Sequence, residues 1–475
     1  MKTIQRFWLA LALLSVHAWA LPPPPTSPTP PPPPATAPAP TQPKPTQPQP
    51  PPPQPGIDAH KQLMITDLRV VEDPIRTNPA NGPRAVWTFK YLMENIAGTN
   101  DPALFTMRWL QLWERDQHIN GHVAPARPDI RRLVIEPWLK TSGGQRLDLA
   151  RAPFKLLAIV NRMDLRMHVN GEVLSAGEGR FVFGVLGPDG KPLPPIAGTV
   201  PGGFTVIFEY ELPASDMRTL GDWAMQWKRL GAYPLGSPDY NRTLEDLTRR
   251  FADRNRAPGM PNGSALNQIR SNEVALGIPW ELREFVLDPR SGFLRQGTVA
   301  LTPDTLRLNG TPQLATIINR QGGAIAAGTG ELAPEWFAAS SLAGPFLLTD
   351  FTNAASRTFT TNILFDPFLD IPWSAAGATN NTDRHALALN TCNGCHRDET
   401  GTGFLHVGFA TNHAEAVLSS FLTGIDVRDP VDHTTLRRFA DLARRRADFQ
   451  ALCDSFGSTG AGPGPRGVHV PHFVH

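Results

Sequence analysis

The sequence predicts an α+β protein, with a β-rich N-terminal half, a helical middle and a small, mostly helical C-terminal segment. Three observations carry that expectation. Strand-length apolar runs fall before residue 213, at Phe154–Val160, Phe181–Val185 and Phe204–Leu212. Helical periodicity follows, with Leu220, Trp223, Ala224 and Trp227 sharing one face. From Pro372 the character changes again, and two of the chain's 3 cysteines fall in that last segment. The length of 475 residues and a composition 41% hydrophobic and 19% charged suit an ordinary core in two or three domains.

Taken in order, residues 1–20 read as a secretory signal peptide. Lys2 and Arg6 form a basic start, Phe7–Val16 an apolar run and Ala18-Trp19-Ala20 a cleavage site. The run is too short to span a bilayer, and no later stretch has transmembrane length. The expected location is therefore exported: periplasm, cell surface or medium. Residues 21–56 are a Pro-rich linker that no helix or central strand accommodates. As polyproline II it extends ~3.1 Å per residue, roughly 110 Å over its prolines. It reads as a stalk off a cell-envelope surface or as a plain disordered tail.

Residues 57–371 form an α+β region without a recognisable activity. Leu63–Val71 is expected to be a strand, and Ala85–Leu92 a strand or the start of a helix. Phe105–Gln117 reads as a helix, after which His118 and His122 have the i, i+4 spacing of paired metal ligands. Asn120 and Gly121 between them favour a helix end instead. Gly177-Glu178-Gly179 lacks the continuation of a phosphate loop. Arg162, Asp164, Glu178 and Arg180, at strand ends, read as structural ion pairs rather than a cleft. Helices are expected over 219–230, 241–252 and 264–276, and a hairpin around Asp288–Gly292. Residues 331–372 are loop-rich.

Residues 372–455 contain a short helix, Arg384–Leu389, running into Thr391-Cys392-Asn393-Gly394-Cys395-His396. Helices are expected again at 414–422 and 434–452, with the arginines between 437 and 446 on a solvated face and Cys453 as a buried thiol. The tail, 456–475, carries His469, His472 and His475 and is expected to fray.

Cys392, Cys395 and His396 form C-x-x-C-H, and this stretch resembles the haem-attachment signature of c-type cytochromes. The resemblance implies a covalent haem c on the two thiols with His396 as axial ligand, attached outside the cytoplasm. It implies electron transfer to a redox partner protein or small acceptor, or a haem-dependent oxidoreductase. No methionine follows Met260, so the sixth ligand is expected to be histidine, first His406, then His413, His385 or His433. Other chemistry fits the same residues. Cys392, Cys395, His396 and His406 would make an S2N2 zinc site. The cysteines could also be a redox dithiol, or a disulfide staple in a cell-surface binding or structural protein.

With 45 Lys+Arg against 43 Asp+Glu, net +2, no broad field attracts nucleic acid. No G-x-S-x-G or H-E-x-x-H supports a hydrolase. Three stretches, Leu156–Arg166, Ala176–Phe183 and Leu389–His396, resemble a family of large exported proteins of myxobacteria and related bacteria. That resemblance covers most of residues 60–455 and implies no activity.

Overall fold

Strand follows strand in chain order across one antiparallel sheet. Its members are β1 (Met64–Ile65), β2 (Phe154–Arg162), β3 (Glu178–Val185), β4 (Thr205–Glu211), β5 (Leu266–Asn272), β6 (Glu281–Leu287) and β7 (Leu294–Gly297), with Ser341–Leu342 added beside β6. The structure is a computed structural model that describes residues 56–193, 203–277, 281–297, 303–326, 330–337, 341–342, 372–392, 394–402, 405–457 and 468–469. The signal peptide, the Pro-rich linker, most of the loop-rich stretch 331–372, His472 and His475 lie outside them. The protein is α+β.

Alternation along each strand gives the sheet two different faces. Phe154, Leu156, Phe181, Phe183, Phe208, Tyr210 and Phe285 point into the larger core. There they meet helices α1 (Phe89–Ile96), α2 (Pro102–Leu110), α3 (Met217–Arg229) and α4 (Pro238–Ala252), with Trp109, Trp138, Trp223 and Trp227 buried among them. The caps are local: Thr88, Asp101 and Ser237 each accept an amide of their own first turn. Asp216 and Thr219 form a reciprocal capping box ahead of α3. Val160, Val182, Met64 and Ala158 point the other way, into a second core closed by the C-terminal segment.

That segment is mixed rather than mostly helical. It runs through α6 (Asn381–Leu389), which pairs with α5 (Pro312–Ala326), then two small hairpins. The hairpins are β8 (Val407–Gly408) with β9 (Val417–Leu418), and β10 (Ile425–Arg428) with β11 (Leu436–Phe439). The last helix, α7 (Asp441–Phe456), puts Leu442 in the second core and Phe449, Leu452, Cys453 and Phe456 in the first. Cys453 is buried and free, as expected.

Strand β3 is the wall between the cores, and two glycines let both sides close on it. A Cβ at Gly179 would lie 2.4 Å from Phe251 of α4, and one at Gly184 2.3 Å from Phe409 of the C-terminal segment.

Several expectations are corrected. Leu63–Val71 is a two-residue strand and then a helical turn, Leu68–Val71, because the Asp67 carboxylate caps the amide of Arg69. Ala85–Leu92, left open between a strand and a helix start, contains the start of helix α1. Residues 264–276 hold strand β5, not a helix; its polar residues face buried charges on neighbouring strands instead of water. Residues 414–422 give β9 and one turn, Ser420–Thr423. Residues 434–452 split into β11 and α7. His118 and His122 lie on opposite strands of a short hairpin, turned by Asn120 and Gly121 at φ 50° and 79°. They do not share a helical face. Val468–His469 pairs with Met167–Val169 rather than fraying.

Candidate functional site at the C-x-x-C-H turn

Helix α6 delivers the motif. Asn380 caps it, and Thr391 ends it by donating its hydroxyl to the Ala388 carbonyl at 2.6 Å while accepting the Gly394 amide at 3.1 Å. Gly394 is required here, since a Cβ would fall 2.1 Å from that same carbonyl oxygen. The chain then makes a π-helical turn, Gly394–Asp398, and the Thr400 hydroxyl donates to the Cys395 carbonyl at 2.7 Å. Cys392, Cys395 and His396 are all buried, and neither cysteine is in a disulfide.

Charged residues clamp the turn from both ends. Glu399, fully buried, takes the guanidinium of Arg384 and the Nδ1 of His385, both from α6. Arg384 also reaches Asp429 at 3.0 Å, and Arg437 reaches the same carboxylate at 3.0 Å. Burial acts to raise Asp429, but the Val431 amide, Arg384 and Arg437 outweigh it and hold the carboxyl below its ordinary value. The ligand atoms of His385, Glu399 and Asp429 lie within 4.8 Å of one another, a metal-like trio among the described residues. With Arg384 bonded to both acids, the trio is a compensated ion-pair cluster rather than an open cation site.

His406 lies immediately before β8. Ser419 Oγ lies 2.9 Å from its Nδ1, and the Ser419 amide donates to its carbonyl at 3.0 Å. Its Nε2 is 3.6 Å from Cys395 Sγ, and its ring centroid is 4.2 Å from that of His396. The structure thus brings Cys395, His396 and His406 together. His413 contacts Glu72 on the surface, His385 belongs to the Glu399 cluster, and His433 is exposed.

Between this turn and the second face of the sheet lies a narrow cavity of about 80 Å³ that opens to solvent. Val160, Val182, Ile207, Leu405 and Phe421 supply apolar walls, and His396 and His406 border it. Neither cysteine is among its lining residues. Burial, then Asp441 and Cys392, push the Cys395 thiol well above its ordinary pKa. An activated redox dithiol needs the opposite shift.

The polar floor of the cavity is a row of charges that crosses strands. Arg180 on β3 pairs with Glu209 on β4 at 3.0 Å; Arg270 on β5 pairs with Glu209 at 3.5 Å and with Glu284 on β6 at 3.2 Å. At the β2 end, Arg162 pairs with Asp164 at 2.9 Å, and Arg444 of α7 with the same acid at 2.9 Å. Arg162, Asp164, Glu178 and Arg180 are buried ion pairs, as the sequence suggested. The arginines of α7 are not all on a solvated face. Arg445 is buried against Asp441 at 2.6 Å, its Nε has no hydrogen-bond partner, and burial with Arg162 nearby pulls it down to about 10. Sequence reasoning missed the row's other members, Glu209, Arg270, Glu284 and Arg445, along with Gly394 and the Glu399 clamp. For the row, the signal was the alternation of Glu178, Arg180 and Val182 on one face of an otherwise apolar strand.

No family model, no curated protein and no solved structure matches the chain.

Proposed function

We propose that this is an exported haem protein that passes single electrons, with Cys392 and Cys395 as thioether anchors and His396 as axial ligand. One observation carries the reading: the C-x-x-C-H turn, with neither cysteine in a disulfide, sets His396 at the edge of a cavity with a second histidine, His406, alongside. At about 80 Å³ that space is well below the ~300–1,000 Å³ of cofactor pockets, so a porphyrin enters only if the C-terminal segment that covers it moves aside. When bound, haem would supply a reversible one-electron couple, at a lower potential than with methionine ligation. This chain's own part is to bury the site and orient the imidazoles. Ser419 on the Nδ1 of His406 is the kind of partner that metal-bound histidines have.

The donor set fits; the spacing of the two rings constrains how. Metal–imidazole bonds of about 2 Å put rings on opposite sides of one metal on the order of 6 Å apart, centroid to centroid. The present 4.2 Å means that His406 takes the sixth position only if its hairpin swings outward.

A zinc staple is the second reading, favoured by the 3.6 Å between Cys395 Sγ and His406 Nε2. Two ligands of one tetrahedral zinc are about 3.5 Å apart when one is sulfur and one nitrogen.

The test is expression with residues 1–20 in a host that has haem-attachment machinery, followed by a denaturing gel stained for haem. A stained band, lost in the Cys392→Ala/Cys395→Ala variant, is expected. A colourless band would sink the haem reading, and one zinc per chain would replace it with the staple.

A further inference from the structure

The C-x-x-C-H turn is covered, and anything it takes up has to pass its cover. Cys395 is 3% exposed and His396 7%. Against them lies the hairpin β8–β9 with its flanks, residues 405–419, which carries His406. The hairpin is minimal. Two residue pairs, Val407 with Leu418 and Gly408 with Val417, make its ladder, and an isolated two-stranded ribbon has little stability of its own. A space of about 80 Å³ separates part of it from the sheet, with Leu405, His406 and Val407 on one side and Val160, Val182 and Ile207 on the other. Side chains that face a void forfeit the attraction that close packing gives. The sheet face opposite has charges paired along itself, Arg180 with Glu209 and Arg270 with Glu284, and those partners remain when the cover lifts.

An apolar contact fastens the tip. Phe409, 1% exposed, sits in the notch left by Gly184 on β3, so close that a Cβ there would lie 2.3 Å from its ring. Polar fastenings lie at the rim. His413 Nδ1 is 3.2 Å from Glu72, the Asn412 amide donates to the Gly190 carbonyl at 3.3 Å, and the Thr66 hydroxyl donates to Glu415 at 3.5 Å. The His413 side chain is 78% exposed, so water competes for its contact. At the base, the turn Ser420–Thr423 packs on β11 and α7, and the C-terminal half of α7 is anchored in the first core. Gly401, at φ 62°, gives the chain freedom on the entering side.

We propose that hairpin β8–β9 is a hinged flap that admits a cofactor or metal ion to Cys395 and His396, with Phe409 in the Gly184 notch as its catch. The proposal rests on the C-x-x-C-H turn being a binding site, but its test reads the bare chain and not what the turn binds. The cysteines supply both probe and control. Cys395 lies in the second core beside the flap, whereas Cys453 is buried in the first core against Ala224 of α3. The mature chain, made without attachment machinery and kept reduced, is treated under native conditions with N-ethylmaleimide, and each cysteine is followed by peptide mass. Cys395 is expected to react at least about tenfold faster than Cys453, since local opening costs less than global unfolding. Phe409→Ala removes the catch and Gly184→Ala fills the notch. Each should speed Cys395 by at least about tenfold and change Cys453 much less.

One common rate for Cys395 and Cys453 in the unaltered chain overturns the flap, because the cover then parts only with the whole fold. Equal acceleration of both thiols in the two variants also overturns it, making Phe409 a prop of the fold at large. An unchanged Cys395 rate in both variants removes Phe409 as the catch. A colourless gel beside selective labelling of Cys395 leaves the flap standing and strikes only the haem.

Discussion

Arg384, one helix before the C-x-x-C-H turn, is bonded to Glu399, just after it, with Nη2 3.2 Å from Oε2. Both are almost fully buried. The loop that carries the two cysteines and His396 is thus closed at its base by a charged pair. Removing one partner leaves a buried charge without its counter-ion, which costs about 3–5 kcal/mol. Arg384→Met should lose that much stability in urea unfolding. The double variant Arg384→Met/Glu399→Leu should recover part of it. A single variant of unchanged midpoint would contradict the clamp.

Gly184→Ala and Gly179→Ala probe the two faces of β3. Each new methyl meets an aromatic ring at less than 3 Å, Phe409 for Gly184 and Phe251 for Gly179. Overpacking of this kind costs about 1–3 kcal/mol. Gly184→Ala should also loosen the C-terminal segment, seen as faster hydrogen exchange in α6, α7 and the two hairpins. Gly179→Ala should loosen α4 instead. Identical exchange patterns would mean that the two cores do not open separately.

Glu211 gives the stability a pH dependence. Burial, with Glu178 directly across the strands, raises it from 4.5 to about 7, although Ser175 and Asn267 donate to its carboxylate. Between pH 4.5 and 7 the unfolded chain gives up this proton while the folded chain keeps it. The group's contribution is therefore complete below pH 4.5, declines through that window and is flat above pH 7. A shift of that size is worth about 3 kcal/mol. Glu211→Gln should gain on the unaltered protein by about that much between pH 4 and pH 8 in urea unfolding. Parallel curves for the two proteins would refute it.

Ser419→Ala removes the group that fixes Nδ1 of His406. If zinc is bound, chelator competition should show an affinity about 10–100-fold weaker. In the haem-loaded protein the Soret band should shift in the same direction as in His406→Ala, and by less. A spectrum unchanged in both variants removes His406 from the iron.

Strands β2, β3 and β4 were legible because their apolar runs are long and bounded by turns. Helices α3 and α4 were legible because one face repeats at helical spacing. Strand β5 was not: Arg270 and Asn272 resemble a solvated face, and only the neighbouring strands reveal that they are buried. The site divides in the same way. C-x-x-C-H is local and could be read directly. The arginine row gathers Arg162, Arg180, Arg270 and Arg445 from three strands and the last helix; the first two read as ion pairs, whereas Arg270 and Arg445 alone look like surface charges. His406 was picked out as a candidate ligand by its place between apolar runs. Its contact with Ser419 depends on hairpin register, which no local pattern encodes.

The wall formed by β1–β7 has an implication in time. All of its strands precede Cys392 in the chain, whereas α7 follows it. A chain that emerges N-terminus first presents a nearly finished sheet before the motif arrives. The cysteines then stay reachable until the second core closes, when the hairpin segment and Leu442 of α7 pack around Cys395. The C-terminal segment acts as a latch, and modification of the thiols belongs to the interval before it closes.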